Sequence, residues 1–157
     1  VSAFLLNRSS DLEIYVMMHC VGTPETMHQY QLEGNIHQTV NDFFEQQCKA
    51  LEPYGEQQII LDPGIGFGKS LNANYQLLND LNRYRYKDYP ILIGISRKSL
   101  IFKVLQTTPY QAENGTTVLN TIALLNGADI LRVHNVKNAR EAIELVKSCI
   151  FAANFRP

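Results

Sequence analysis

Four short apolar runs, at residues 15–19, 59–61, 91–94 and 130–133, are rich in Ile, Leu, Val and Met. Each is followed by enough chain for a helix and its loops before the next begins. Runs apolar on both faces predict buried parallel strands rather than half-solvated antiparallel ones. Between them the apolar spacing becomes helical. Ile36, Val40, Phe43, Phe44 and Leu51 share one face, and Leu77, Leu78, Leu81 and Tyr84 share another. The third gap predicts two helices. One is capped by Ser96 and carries Leu100, Ile101, Val104 and Leu105; the other carries Val118, Leu119, Ile122 and Leu125 and stops at Gly127. Residues 106–114 read as an exposed connection, and a last helix carries Ala139, Ile143, Val146 and Ile150. Repeated strand–helix units predict a parallel α/β sheet, either open and doubly wound or closed as an eight-stranded (β/α)8 barrel, and in both ligands bind at the carboxyl ends of the strands.

Polar clusters sit at those ends. In Asp62-Pro63-Gly64-Ile65-Gly66-Phe67-Gly68-Lys69 an acid leaves a buried strand and three alternating glycines follow, which permit tight turns and close backbone approach to a flat ligand. Asp62 reads either as the cap of a simple βα turn or as an acceptor for an amidine-like ring edge. The glycine spacing fits neither the dinucleotide fingerprint nor the phosphate loop of nucleotide hydrolases. Ser96-Arg97-Lys98-Ser99 lies where a strand turns into a helix, so two hydroxyls, two cations and free backbone N–H groups converge on a corner suited to an anion; the alternative is a plain N-cap with two solvated cations. Arg132 and His134 alternate about Val133, so their side chains point the same way. An arginine among Ile, Leu and Val requires a partner, either an internal salt bridge, with Asp62 for example, or a pyrophosphate held bidentately. His19 ends a strand and reads equally as a core residue or a ligand contact. His28 and His37 read as solvated or capping, Lys69 as loop surface, and Asn74 as a cap or a tie for the Gly-rich loop.

Composition narrows the partners. The chain has 157 residues, 45% of them hydrophobic, and no linker or repeat divides it, so residues 1–157 form one domain or part of one. Lys and Arg total 14 against 15 Asp and Glu, which gives no general attraction to nucleic acid or membrane. No apolar run is long enough to span a bilayer, and no secretory leader is visible. Cys20, Cys48 and Cys149 are odd in number and lack C-x-x-C spacing, which predicts buried free thiols, no zinc site and a cytoplasmic setting.

Taken in order, Met18-His19, Gly22-Thr23-Pro24-Glu25-Thr26-Met27, the Asp62–Lys69 segment, Gly94-Ile95-Ser96-Arg97-Lys98-Ser99 and Gly127-Ala128-Asp129-Ile130-Leu131-Arg132-Val133-His134 resemble the dihydropteroate synthase family of pterin-binding enzymes. The resemblance covers nearly the whole chain but only the second half of the family's (β/α)8 TIM barrel, strands four or five to eight, with residues 1–4 as the tail of the fourth strand. The family's earlier Asn, Asp and mobile loop have no counterpart here. Two departures are Asn135, where the family usually has Asp, and Ala73, where His is common. The resemblance implies condensation of 6-hydroxymethyl-7,8-dihydropterin pyrophosphate with p-aminobenzoate, giving 7,8-dihydropteroate and pyrophosphate, with sulfonamides as competitors. It implies Asp62 and Lys98 on the pterin, Met18, Gly66 and Gly94 lining its slot, and Arg132 and His134 on the pyrophosphate. Phe67 would pack on the aminobenzoate ring, Ser99 with its helix N-terminus would receive the carboxylate, and Ser96 would belong to the anion corner. Lys98, Arg132 and His134 are the residues expected to act in catalysis. Magnesium is expected as cofactor, its ligand coming from the other half of the barrel, and the full-length protein is expected to be a homodimer. A pterin-dependent corrinoid methyltransferase and a non-catalytic half-barrel subunit are the alternatives.

Overall fold

Strand β1 (Tyr15–Met18) runs parallel to β2 (Ile59–Asp62), with Tyr15 opposite Ile59 and Met18 opposite Asp62. A parallel bridge from Leu61 to Ile91 carries the sheet to β3 (Leu92–Ile93), which pairs in parallel with β4 (Ile130–Leu131). Spatial order thus follows chain order. Among the described residues there is no reversal of the kind that marks a doubly wound sheet. This structure is a computed structural model that describes residues 14–23, 25–29, 32, 34–54 and 58–154; residues 1–4, expected as the end of a further strand, and the His28 side chain lie outside the described part.

Helix α1 (Ile36–Leu51) starts where the Asn35 side chain accepts the Gln38 N–H at 3.1 Å, and it buries Ile36, Val40, Phe44 and Cys48. Helix α2 (Leu71–Asn79) is capped by Ser70 and buries Leu77 and Leu78. Leu81 and Tyr84, expected on the same helix, lie instead in a 3-10 turn, Leu81–Tyr84. Asp80 separates the two at φ −123°. His37 is not a solvated residue. Its ring stacks on Tyr84, Nδ1 meets the buried Tyr84 hydroxyl and Nε2 lies 3.3 Å from Asp80, which ties α1 to the turn.

The third crossover departs most from expectation. Helix α3 (Ser99–Phe102) spans a single turn, its N-cap is Lys98 rather than Ser96, and Val104 and Leu105 are exposed beyond it. The Thr107 N–H reaches back to the Phe102 carbonyl at 3.0 Å while Gln106 adopts φ 50°, and this closes the helix early. Residues 106–114 are largely exposed as expected, except for the fully buried Ala112. Helix α4 (Glu113–Leu125) buries Thr116, Asn120 and Ala123, and leaves Val118, Ile122 and Leu125 exposed. Gly115 explains the rotation: a Cβ there would stand 2.4 Å from Ile101 Cγ2, so α4 presents its small-residue face to α3 and can approach it closely. Helix α5 (Val136–Asn154) buries Ala139, Ala142 and Val146, while Ile150 is exposed. All three thiols are free; Cys48 is buried, Cys20 half-buried and, contrary to expectation, Cys149 exposed.

Candidate functional site

Asp62 closes β2 with only 1% of its surface exposed. Its Oδ1 accepts the Gly64 N–H at 2.8 Å and its Oδ2 accepts from Arg132 Nη2 at 3.2 Å. Burial raises the carboxyl pKa, opposed by the Gly64 N–H and then by the positive charges of Arg132, Lys98 and Lys69. Arg132 follows β4, its own N–H extending the ladder to the Ile93 carbonyl at 2.8 Å. Neither Arg132 nor His134 lies within the two-residue strand, and about half of the Arg132 side chain (52%) remains exposed although it is paired. Gly94, just past β3, gives that guanidinium room, since a Cβ there would come within 2.8 Å of Nη2.

Lys98 enters from the next loop. Its Nζ donates to the Ile65 carbonyl and stands 4.3 Å from the centre of the Phe67 ring, while Gly66 packs under its alkyl chain. Burial lowers its pKa to about 8, with Asp62 raising it and Arg132 lowering it. Met18 lies opposite Asp62 on the neighbouring strand. Ser96 is not a helix cap; its Oγ accepts the His134 N–H at 3.2 Å and so links the end of β3 to the segment after β4. Ser99 opens α3 and is exposed.

Two cations of the corner part company. Arg97, at φ 54°, turns outward, and its Nε and Nη2 both donate to Glu113 Oε2 at 3.1 and 2.9 Å. Its backbone N–H bonds Thr116 Oγ1 at 3.1 Å, and Asn138 Nδ2 donates to the other Glu113 oxygen at 3.2 Å. Only Lys98 is left facing Asp62. An acid early in α4 was the available sign of this pairing, but nothing in the local motif pointed to it.

Lys69 also differs from expectation. It is 8% exposed, not a surface residue, and its Nζ donates to the carbonyls of Gly64 (2.8 Å), Phe67 (3.1 Å) and His19 (3.2 Å). Asn74 ties the loop as expected: Oδ1 accepts the Gly66 N–H at 2.6 Å, and Nδ2 donates to the Lys69 and Ser70 carbonyls.

His19 is a core residue, 5% exposed and edge-on to Phe43, with Nδ1 lacking a hydrogen-bond partner. Burial first, then the Lys69 charge, lower its pKa from 6.5 to about 4. A depressed pKa means the neutral imidazole's stability is fully present above pH 6.5 and is lost as pH falls through about 4. Urea melts of the complete chain should therefore show a loss of up to about 3 kcal/mol across that window, absent from His19→Gln. The same acid slope in both proteins would refute the assignment.

Parallel strands in chain order, with a buried acid, two cations and a Gly-rich loop at their carboxyl ends, define an α/β protein whose polar edge is the one at which such folds bind ligands. Residues 9–134 match the pterin binding enzyme family, and the chain belongs to it. It is 37% identical over 138 residues to the dihydropteroate synthase of Escherichia coli K12, covering 87% of this chain and 49% of that relative. The Yersinia pestis dihydropteroate synthase in complex with a sulfonamide drug superposes with a TM-score of 0.83 at 35% identity, over 87% of this chain and 51% of that one. The Burkholderia cenocepacia dihydropteroate synthase complexed with 7,8-dihydropteroate gives 0.82 at 33% identity, over 90% of this chain and 54% of that one. The chain spans about half the length of the relatives it matches. Among the described residues, no helix is long and apolar enough to cross a membrane.

Proposed function

We propose that this chain is the C-terminal half of a cytoplasmic dihydropteroate synthase, supplying strands four or five to eight of a (β/α)8 barrel whose activity needs the other half. One observation carries the reading: buried Asp62 lies between Arg132 and Lys98, with Phe67 against Lys98, at the carboxyl edge of consecutive parallel strands. The substrates are the pterin pyrophosphate and p-aminobenzoate, with sulfonamides competing for the second. The ligands bound to the Yersinia and Burkholderia enzymes support this pairing.

Asp62 accepts N–H groups from the pterin edge, and Lys98 donates to its carbonyl and ring nitrogen. Gly94, Gly66 and Met18 leave a flat slot. Arg132, half exposed, and His134, whose segment is held by Ser96, take the pyrophosphate. The C–O bond to pyrophosphate breaks first, leaving a methylene cation conjugated with the pterin. The aniline nitrogen, placed by Phe67 under the ring and Ser99 at the carboxylate, then forms the C–N bond and releases a proton. Leaving-group stabilisation and positioning carry the rate, and little general-base chemistry is needed.

The described residues do not fit magnesium. They hold no cluster of three His, Cys, Asp or Glu side chains suited to a metal, and both Asp62 oxygens already have donors. We therefore assign magnesium, as a proposal, to the other half of the barrel. The complete enzyme is read as a homodimer, a reading supported by the exposed Val118, Ile122 and Leu125 on α4 and Leu145 on α5.

Lys98→Ala in the complete chain should lower kcat/KM roughly ten- to over a hundredfold, since a charge-assisted hydrogen bond to a desolvated ligand is worth about 1.5–3 kcal/mol. Steady-state kinetics with both substrates measure it, and an unchanged specificity constant would remove Lys98 from the site. The half-length match also favours a second reading, a non-catalytic half-barrel subunit. That reading requires the complete natural polypeptide to show no turnover.

A further inference from the structure

We infer that Lys69 is a positioning residue: its ammonium ties the end of β1 to the Gly-rich loop and thereby sets where the Phe67 ring, and with it the aminobenzoate, can lie. The substrate part of this inference rests on the proposed function; the clamp itself does not.

The loop between Asp62 and Lys69 has few side chains to anchor it. Three of its residues are glycines, and of the rest Pro63 and Ile65 are buried while Phe67 is only half covered. Such a segment has to be held by hydrogen bonds to its backbone. Lys69 supplies them from behind. Its three N–H protons match three carbonyls, those of Gly64, Phe67 and His19, and the last lies 50 residues away at the end of the neighbouring strand. From the other side Asn74 holds the Gly66 N–H and the Lys69 carbonyl, and the Gly68 carbonyl accepts the Leu32 N–H at 3.0 Å.

The clamp reaches the site through two short links. Lys69 fixes the Phe67 carbonyl, and the Phe67 ring faces Lys98 Nζ at 4.3 Å. The Gly64 carbonyl that Lys69 holds belongs to the residue whose N–H meets Asp62. With its donors occupied and Nζ enclosed behind the loop, Lys69 cannot itself touch substrate. The ionisable groups around it are Cys20, Asp62, Lys98 and the His19 ring. Burial lowers its pKa to about 8, as expected for an ammonium held chiefly by neutral carbonyls.

The test compares the complete chain with its Lys69→Met and Lys69→Gln variants, Gln keeping a neutral donor in the same space should Met prevent folding. Amide hydrogen exchange is read at residues 64–68 and, as control, at β3. Steady-state kinetics give KM for p-aminobenzoate, and calorimetry gives the affinity for the pterin pyrophosphate. The expected result is exchange at least tenfold faster in the loop with β3 unchanged, KM for p-aminobenzoate raised about tenfold or more, and pterin affinity altered less than about threefold. Unchanged loop exchange, equal weakening of both substrates, or failure of both variants to fold would each overturn the inference. Exchange needs no turnover, so if the complete chain proves not to be a synthase, the clamp is still decided by that arm alone.

Discussion

Arg132→Ala in the complete chain is expected to cost both stability and affinity, and the two losses are separable. Stability falls because Asp62, almost fully buried, keeps only the Gly64 N–H as a direct partner. Breaking a fully buried ion pair costs about 3–5 kcal/mol. Because the Arg132 side chain is 52% exposed and Lys98 also faces Asp62, a loss of about 2 kcal/mol is expected here. Adding Asp62→Asn should recover most of it, since an amide still accepts the Gly64 N–H and needs no cation. Affinity falls selectively. The pterin pyrophosphate should bind roughly ten- to a hundredfold more weakly, while a pterin without pyrophosphate loses less than about threefold. Asp62→Ala should weaken both ligands. Thermal melts without ligand and calorimetry with each compound separate the effects. If Arg132→Ala weakens both ligands equally and its stability loss matches that of Asp62→Ala, Arg132 serves the salt bridge and not the pyrophosphate.

A second large effect is expected at Gly64. Its φ of +70° is left-handed, and a Cβ there would stand 1.8 Å from the His19 backbone oxygen. Gly34 is a matched control: its φ is +89°, yet no atom lies within 4 Å of the added carbon. Alanine at either position bears the left-handed strain, about 1–2 kcal/mol. Only Gly64→Ala must also push β1 from the Gly-rich loop, against the Lys69 and Asn74 ties, which places its total loss among the exceptional values above about 4 kcal/mol. Denaturant melts of the two variants in the complete chain give the comparison. Similar losses would mean the loop can step aside, and the close approach of His19 and Gly64 would not matter.

Much of the site was legible because strand ends locate chemistry: Asp62, Gly94 and Arg132 each fall at or near the end of a short apolar run, and the fold brings them together for that reason. Asn74 was readable as a tie because its side chain can both donate and accept near a turn. Lys69 was not readable. Its partners are backbone carbonyls, which leave no mark in residue type, so a lysine in a glycine loop looked solvated. Arg97 is not readable because its partner Glu113 lies on the next helix, nor is Ser96, because its hydroxyl serves the chain beyond β4 rather than the helix beside it. The rotation of α4 followed from how closely Gly115 meets Ile101, a matter of tertiary distance that the apolar periodicity of Val118, Ile122 and Leu125 contradicts.

The outward-turned Arg97 bears on how a ligand meets this edge. A non-glycine residue at φ 54° sits in a sparsely populated conformation that costs on the order of 1–3 kcal/mol, and Thr116, Glu113 and Asn138 hold it there from two outer helices. That cost is therefore met when the chain folds, not when a ligand arrives. Lys98, next in sequence, already stands at the Ile65 carbonyl and the Phe67 ring. A ligand binding beside Asp62, as proposed, would meet a preorganised surface, and its affinity would carry no charge for bending the Arg97 backbone into shape.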